Sequence, residues 1–100
     1  MTEILPGERC TDMTEVRAGV DALDRELVAL LRRRFDYMDA AARIKPARTA
    51  VRDEARKAQV IAQAAAEAAR LDLPAKAVAA MWETLVEASI AYELKAFDAR

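Results

Sequence analysis

The chain has 100 residues, with 16 Lys and Arg against 17 Asp and Glu, a formal net charge of −1, no histidine and one cysteine. That length implies one domain with a modest core. The charge balance excludes a general attraction to nucleic acid or to an anionic membrane, and the inventory excludes a histidine base, a Ser-His-Asp triad, an internal disulfide and a Cys/His metal site.

Over half of the residues are apolar but only 5% are aromatic, with two glycines and three prolines. This is a helical composition, and an all-α fold is expected. No apolar run approaches a membrane span and the N-terminus shows no signal-peptide core, so a cytoplasmic location is expected. No glycine-rich phosphate loop or acidic calcium loop is present. No metal or cofactor is expected, and any chemistry must use Arg, Lys, Asp, Glu, Ser and Tyr.

Residues 1–12 contain Pro6-Gly7 and read as a loose N-terminal arm, with the helical domain over residues 13–100. Asp12 is a good N-cap, and Glu15 three residues later completes a capping-box pattern. A first helix follows from about Met13 to Lys45, and Pro46 stops it because the residue before proline leaves the α region. Its apolar stripe runs Val16, Val20, Leu23, Leu27, Leu30, then Met38 and Ala41. At 1.5 Å per residue such a helix is roughly 50 Å long, whereas a compact 100-residue globule has a radius of gyration of about 13 Å. The helix must overhang its own subunit, and a second chain must cover the stripe. An intertwined homodimer is expected.

Two cations, Arg34 and Lys45, share one face of this helix, about three turns apart and within roughly 20° of each other. Met38, Ala41 and Ala42 lie between them as a shallow floor. Such a face suits a small molecule with two anionic groups. The bland alternative is that both cations complement the helix dipole and reach water. Arg34 fits that alternative less well, because it interrupts an apolar stripe. Arg17 has a simple surface partner in Asp21.

A second helix is expected from about Asp53 to Leu71, with Val60, Ile61, Ala64, Ala65, Ala68 and Leu71 inward. Arg56 in its first turn opposes the helix dipole, which argues for another reason to keep it; pairing with Asp53 is the competing explanation. A third helix is expected from Pro74 to about Phe97. Its line Trp82, Val86, Ser89, Glu93, Phe97 spans an arc of about 80°. Lys76, Glu83, Glu87 and Asp98 fall well away from it. Glu93 is therefore either solvated at the helix end or a costly buried carboxylate in need of a partner. Ser89, Trp82 and Tyr92 read as packing residues, and Cys10 as incidental.

With these positions in view, nearly the whole chain resembles the all-α chorismate mutases, and especially the branch that includes isochorismate–pyruvate lyases. The signature is Val16-Arg17, Leu23-Asp24, Leu30-Leu31 leading to Arg33-Arg34, Lys45, and Val51-Arg52-Asp53 with Arg56. Cys10-Thr11, Arg33-Arg34-Phe35-Asp36-Tyr37, Ala41-Ala42 and Ile90-Ala91 with Lys95 look more like the lyase branch. Val51-Arg52-Asp53 looks more like the mutase branch.

The resemblance implies an intertwined dimer of three-helix subunits, each with a long first helix. It implies a site in which Arg34, Lys45 and Arg56 come from one subunit and Arg17 from the other. Arg17 and Arg34 would hold the substrate carboxylates, Lys45 the ether oxygen and a carboxylate, and Glu93 the ether oxygen from the far side. Ser89 and Asp53 would be secondary contacts. The implied activity is rearrangement of chorismate to prephenate, in aromatic amino acid synthesis, or elimination of pyruvate from isochorismate, in salicylate synthesis. A non-catalytic helical dimer that binds a partner is the reading from a different class.

Two positions depart from the family pattern. Many members have glutamine where this chain has Glu93, and a glutamate donates a hydrogen bond only when protonated. An acid-shifted rate profile is expected. Lys57 stands where mutase members often place a glutamate that accepts the ring hydroxyl, and a charged lysine cannot accept.

Overall fold

The architecture is that of a computed structural model, which describes residues 3–100. Three α-helices carry it: α1 over Met13–Ile44, α2 over Glu54–Arg70 and α3 over Ala75–Asp98. No strand occurs among the described residues. The expected bounds hold to within a residue or so at each end.

α1 begins as its sequence dictates. Asp12 Oδ1 accepts the Glu15 amide at 2.8 Å, which satisfies one of the amides left open in a first turn. The Glu15 carboxylate reaches one residue further back than a standard capping box, to the Thr11 amide and hydroxyl, both at 2.9 Å. These bonds, the amide first, hold the Glu15 carboxyl below the usual carboxylate range. At the other end Lys45 N still donates to Ala41 O at 2.9 Å, and Pro46 then ends the ladder.

The arm before α1 is more ordered than the sequence suggests. Gly7–Arg9 form a 3-10 turn, with Arg9 N donating to Pro6 O and Cys10 N to Gly7 O. The connection after α1 also contains a 3-10 turn, Arg48–Ala50, and Val51 behind it is buried.

Asp53 caps α2 by accepting the Arg56 amide at 3.0 Å. α2 closes with a paired C-terminal arrangement, Leu73 N to Ala68 O at 2.8 Å and Asp72 N to Ala69 O at 3.1 Å. That geometry needs a left-handed residue. Asp72 provides it at φ 58°, a conformation that aspartate tolerates better than most side chains.

The chain forms two compact units, one up to Asp36 and one from Tyr37 to Arg100. The second holds the core. Val51, Val86 and Ile90 are buried together, with Val60, Ile61, Trp82, Leu94 and Phe97 packed on them. Of the apolar line expected on α2, Ala68 is buried and Val60, Ile61, Ala64 and Ala65 are half-buried, while Leu71 is exposed. In the first unit Leu5, Pro6, Cys10, Val16, Gly19, Val20 and Leu23 line an apolar cavity of about 340 Å³.

Candidate active site

Within the second unit, the end of α1 and the middle of α3 bring Lys45 and Glu93 together. Lys45 Nζ donates to Glu93 Oε2 at 2.7 Å, and to the Val51 carbonyl at 3.4 Å. Glu93 is 4% exposed. Its place on the Trp82–Phe97 line is the reason: the arc expected from helical spacing faces the core, and Val86, Ser89 and Glu93 are all buried on it. A buried carboxylate is tolerable here because a cation reaches it. The solvated alternative for Glu93 does not hold, and Lys45 does not simply reach for water.

Ser89, one turn before Glu93, is also buried. Its hydroxyl donates to Leu85 O at 2.7 Å, back along its own helix. Asp53 and Arg56 are exposed. The Asp53 carboxylate is the cap of α2, so it meets the Arg56 amide and not its guanidinium. The guanidinium donates instead to Gln59 Oε1 at 2.7 Å. Arg17 and Arg34 lie in the unit up to Asp36. Arg34 is half-buried on α1, as is Phe35 after it, while Arg33 before it is exposed. Arg17 is exposed, as is Asp21.

Lys57 is committed elsewhere. Its ammonium meets Glu83 at 2.7 Å and Glu87 at 2.8 Å, and its side chain is 16% exposed. Those carboxylates sit on α3 roughly 80–120° around the helix from Glu93. Arg52 grips Glu87 from the other side with two bonds of 2.9 and 3.0 Å, and meets Glu54 at 2.9 Å. Arg52, then Lys57, hold the Glu87 carboxyl down at about 2. The Lys57 ammonium is correspondingly raised by Glu83 and Glu87.

Other contacts around the site were not legible as such. Tyr92, read as packing, donates its hydroxyl to Asp39 Oδ2 at 3.0 Å. Val51 contributes a carbonyl as well as a core side chain. Arg100 donates to the Ala42 and Lys45 carbonyls at 3.0 and 2.6 Å. The signal for that last contact was Pro46, four residues after Ala42, where the helical donor is missing.

A lysine at the end of a long first helix is thus paired with a buried acid on the third helix. Residues 16–94 match the family described as chorismate mutase type II. The chain belongs to that family. The match to chorismate mutase type II contains Arg17, Arg34, Lys45, Asp53, Arg56, Ser89 and Glu93. The chain is also 31% identical over 88 residues to the isochorismate pyruvate lyase of Pseudomonas aeruginosa, across 88% of this chain and 87% of that protein. No group of three or more Cys, Asp or Glu able to hold a metal occurs among the described residues. No helix among them is long and apolar enough to cross a membrane.

Proposed function

We propose that this member of the chorismate mutase type II family converts chorismate to prephenate. The observation that carries the reading is the pair of half-buried Lys45 and buried Glu93 inside the matched span. Chorismate is a dianion with an enolpyruvyl ether on a cyclohexadiene ring. In its rearrangement one C–O bond breaks and one C–C bond forms in a single unimolecular step. No covalent intermediate and no net proton transfer are required. The protein must hold a compact conformer and stabilise negative charge growing on the ether oxygen. In this reading Lys45 supplies a point charge at that oxygen, and Glu93, when protonated, donates from the opposite side. Arg34 and Arg17 grip the two carboxylates, for which guanidinium forks are well shaped. Arg56, Asp53 and Ser89 border the same ligand.

The reading includes a homodimer in which Arg17 crosses to the partner's site. Val16, Val20, Leu23, Leu27 and Leu30 all stand exposed along α1. Val16, Val20 and Leu23 also wall the apolar cavity, so one helix of a second copy laid along the stripe covers both.

Elimination of pyruvate from isochorismate is the second reading. It uses a similar diacid and proceeds pericyclically, and two observations favour it. The Pseudomonas aeruginosa relative bears that activity in its name. Lys57 is tied to Glu83 and Glu87, so it offers no acceptor for a ring hydroxyl.

Product analysis with each diacid offered separately tests both. Prephenate from chorismate, abolished in Lys45→Ala, is expected. Salicylate and pyruvate from isochorismate, without prephenate from chorismate, selects the second reading. No consumption of either between about pH 5 and pH 8 rejects both and leaves a non-catalytic helical dimer.

A further inference from the structure

The last turn of α1 lacks a donor. A helical carbonyl takes its bond from the amide four residues on. For Ala42 that amide would belong to Pro46, which has none. Ala42 is buried at 2% exposure, so its carbonyl needs another partner. Arg100 provides it. Nη1 donates to Ala42 O at 3.0 Å and to Lys45 O at 2.6 Å. The guanidinium carbon lies 3.9 Å from the centroid of the Phe97 ring. Phe97 in turn packs on the Val51, Val86 and Ile90 core.

Lys45 is thus held at both ends. Its ammonium meets Glu93 and the Val51 carbonyl, and its own carbonyl is tied to Arg100. A second strap runs alongside: Arg48, in the 3-10 turn after α1, binds Asp98 with bonds of 2.9 and 3.3 Å. Both straps join the segment carrying Lys45 to the end of the helix carrying Glu93.

We infer that Arg100 is a positioning residue: by replacing the amide that Pro46 lacks, it fixes the backbone from which Lys45 reaches the substrate. The inference rests on Lys45 acting at the ether oxygen. When a ligand shares the ammonium with Glu93, the side-chain tether slackens, and the backbone tether decides where the charge sits. A cation at a helix C-terminus is also favoured by the helix dipole.

The test compares the wild-type chain with R100A and R100K, by steady-state kinetics and by amide hydrogen exchange. In R100A, kcat falls on the order of ten-fold while KM stays within about two-fold, as expected for a displaced catalytic charge. R100K, which keeps a donor and a charge but loses the flat stack on Phe97, lies between R100A and wild type. The amides of Ile44 and Lys45 exchange faster in R100A. A lower melting temperature with wild-type kcat per folded molecule overturns the inference, and so does unchanged exchange at Ile44 and Lys45. If R100A does not fold, R100K decides: a partial loss of kcat at constant KM supports the role, and wild-type kcat overturns it. If the wild type consumes neither diacid, the reading of the site fails, and the exchange rates still decide whether Arg100 holds Lys45.

Discussion

Glu93 concentrates the proposed chemistry at the scale of single residues. Its carboxylate lies 2.7 Å from Lys45 Nζ. In the proposed reading a hydrogen-bond donor at this position meets the ether oxygen, and a glutamine amide supplies one at any pH. Glu93→Gln is therefore expected to retain prephenate formation and Glu93→Ala to lose most of it. The check is kcat/KM for both variants against the wild type. Equal losses in the two variants would exclude hydrogen-bond donation from this position. Lys57 teaches the opposite lesson. Its sequence position points to ligand recognition, but two carboxylates on α3 claim it.

The packing of α2 on α3 sets the scale of elements. The cluster of Arg52, Lys57, Glu54, Glu83 and Glu87 joins the start of α2 to the polar side of α3. Its pH dependence follows from linkage. Glu87 has a depressed folded-state pKa of about 2 against 4.5, so its stabilisation is full above 4.5 and is lost as pH falls towards 2. Lys57 is raised above 10.5, so its share is present below that value and lost only in strong alkali. Thermal unfolding followed across the acid range is expected to show a fall that Glu87→Gln reduces. Equal acid sensitivity in the two proteins would place the acid loss elsewhere. Salt should weaken the cluster partly, since Arg52 and Glu87 are both exposed to screening.

The exposed stripe of α1 matters at the scale of the whole molecule. Leu23 and Leu27 are 59% and 57% exposed in a single chain. Fully burying a valine or leucine side chain contributes roughly 1.5–3 kcal/mol, so the two valines and three leucines of the stripe are ample to drive association. Sedimentation at micromolar concentration is expected to give a dimer, and Leu23→Asp with Leu27→Asp a monomer that has lost activity along with Arg17 from its partner. A monomeric wild type with full activity would contradict both the pairing and the role given to Arg17.

Much of this was written in the order of residues. Asp12, Glu15, Pro46, Asp53 and Pro74 act through bonds only a few positions long, so the helix bounds were readable to within a residue or so. That Val86, Ser89 and Glu93 share one arc was equally readable, because a helix converts spacing into a face, whereas the spacing left Glu93 open between a solvated and a buried carboxylate. Partners far apart in the chain were not. Which cation answers Glu93, which acids take Lys57, and what replaces the amide missing at Pro46 are contacts spanning 26 to 58 positions. Helical periodicity fixes direction around one axis but not the register of one helix against another. Only packing in three dimensions sets that register, and so only the tertiary structure could join Lys45 to Glu93 and Arg100 to the end of α1.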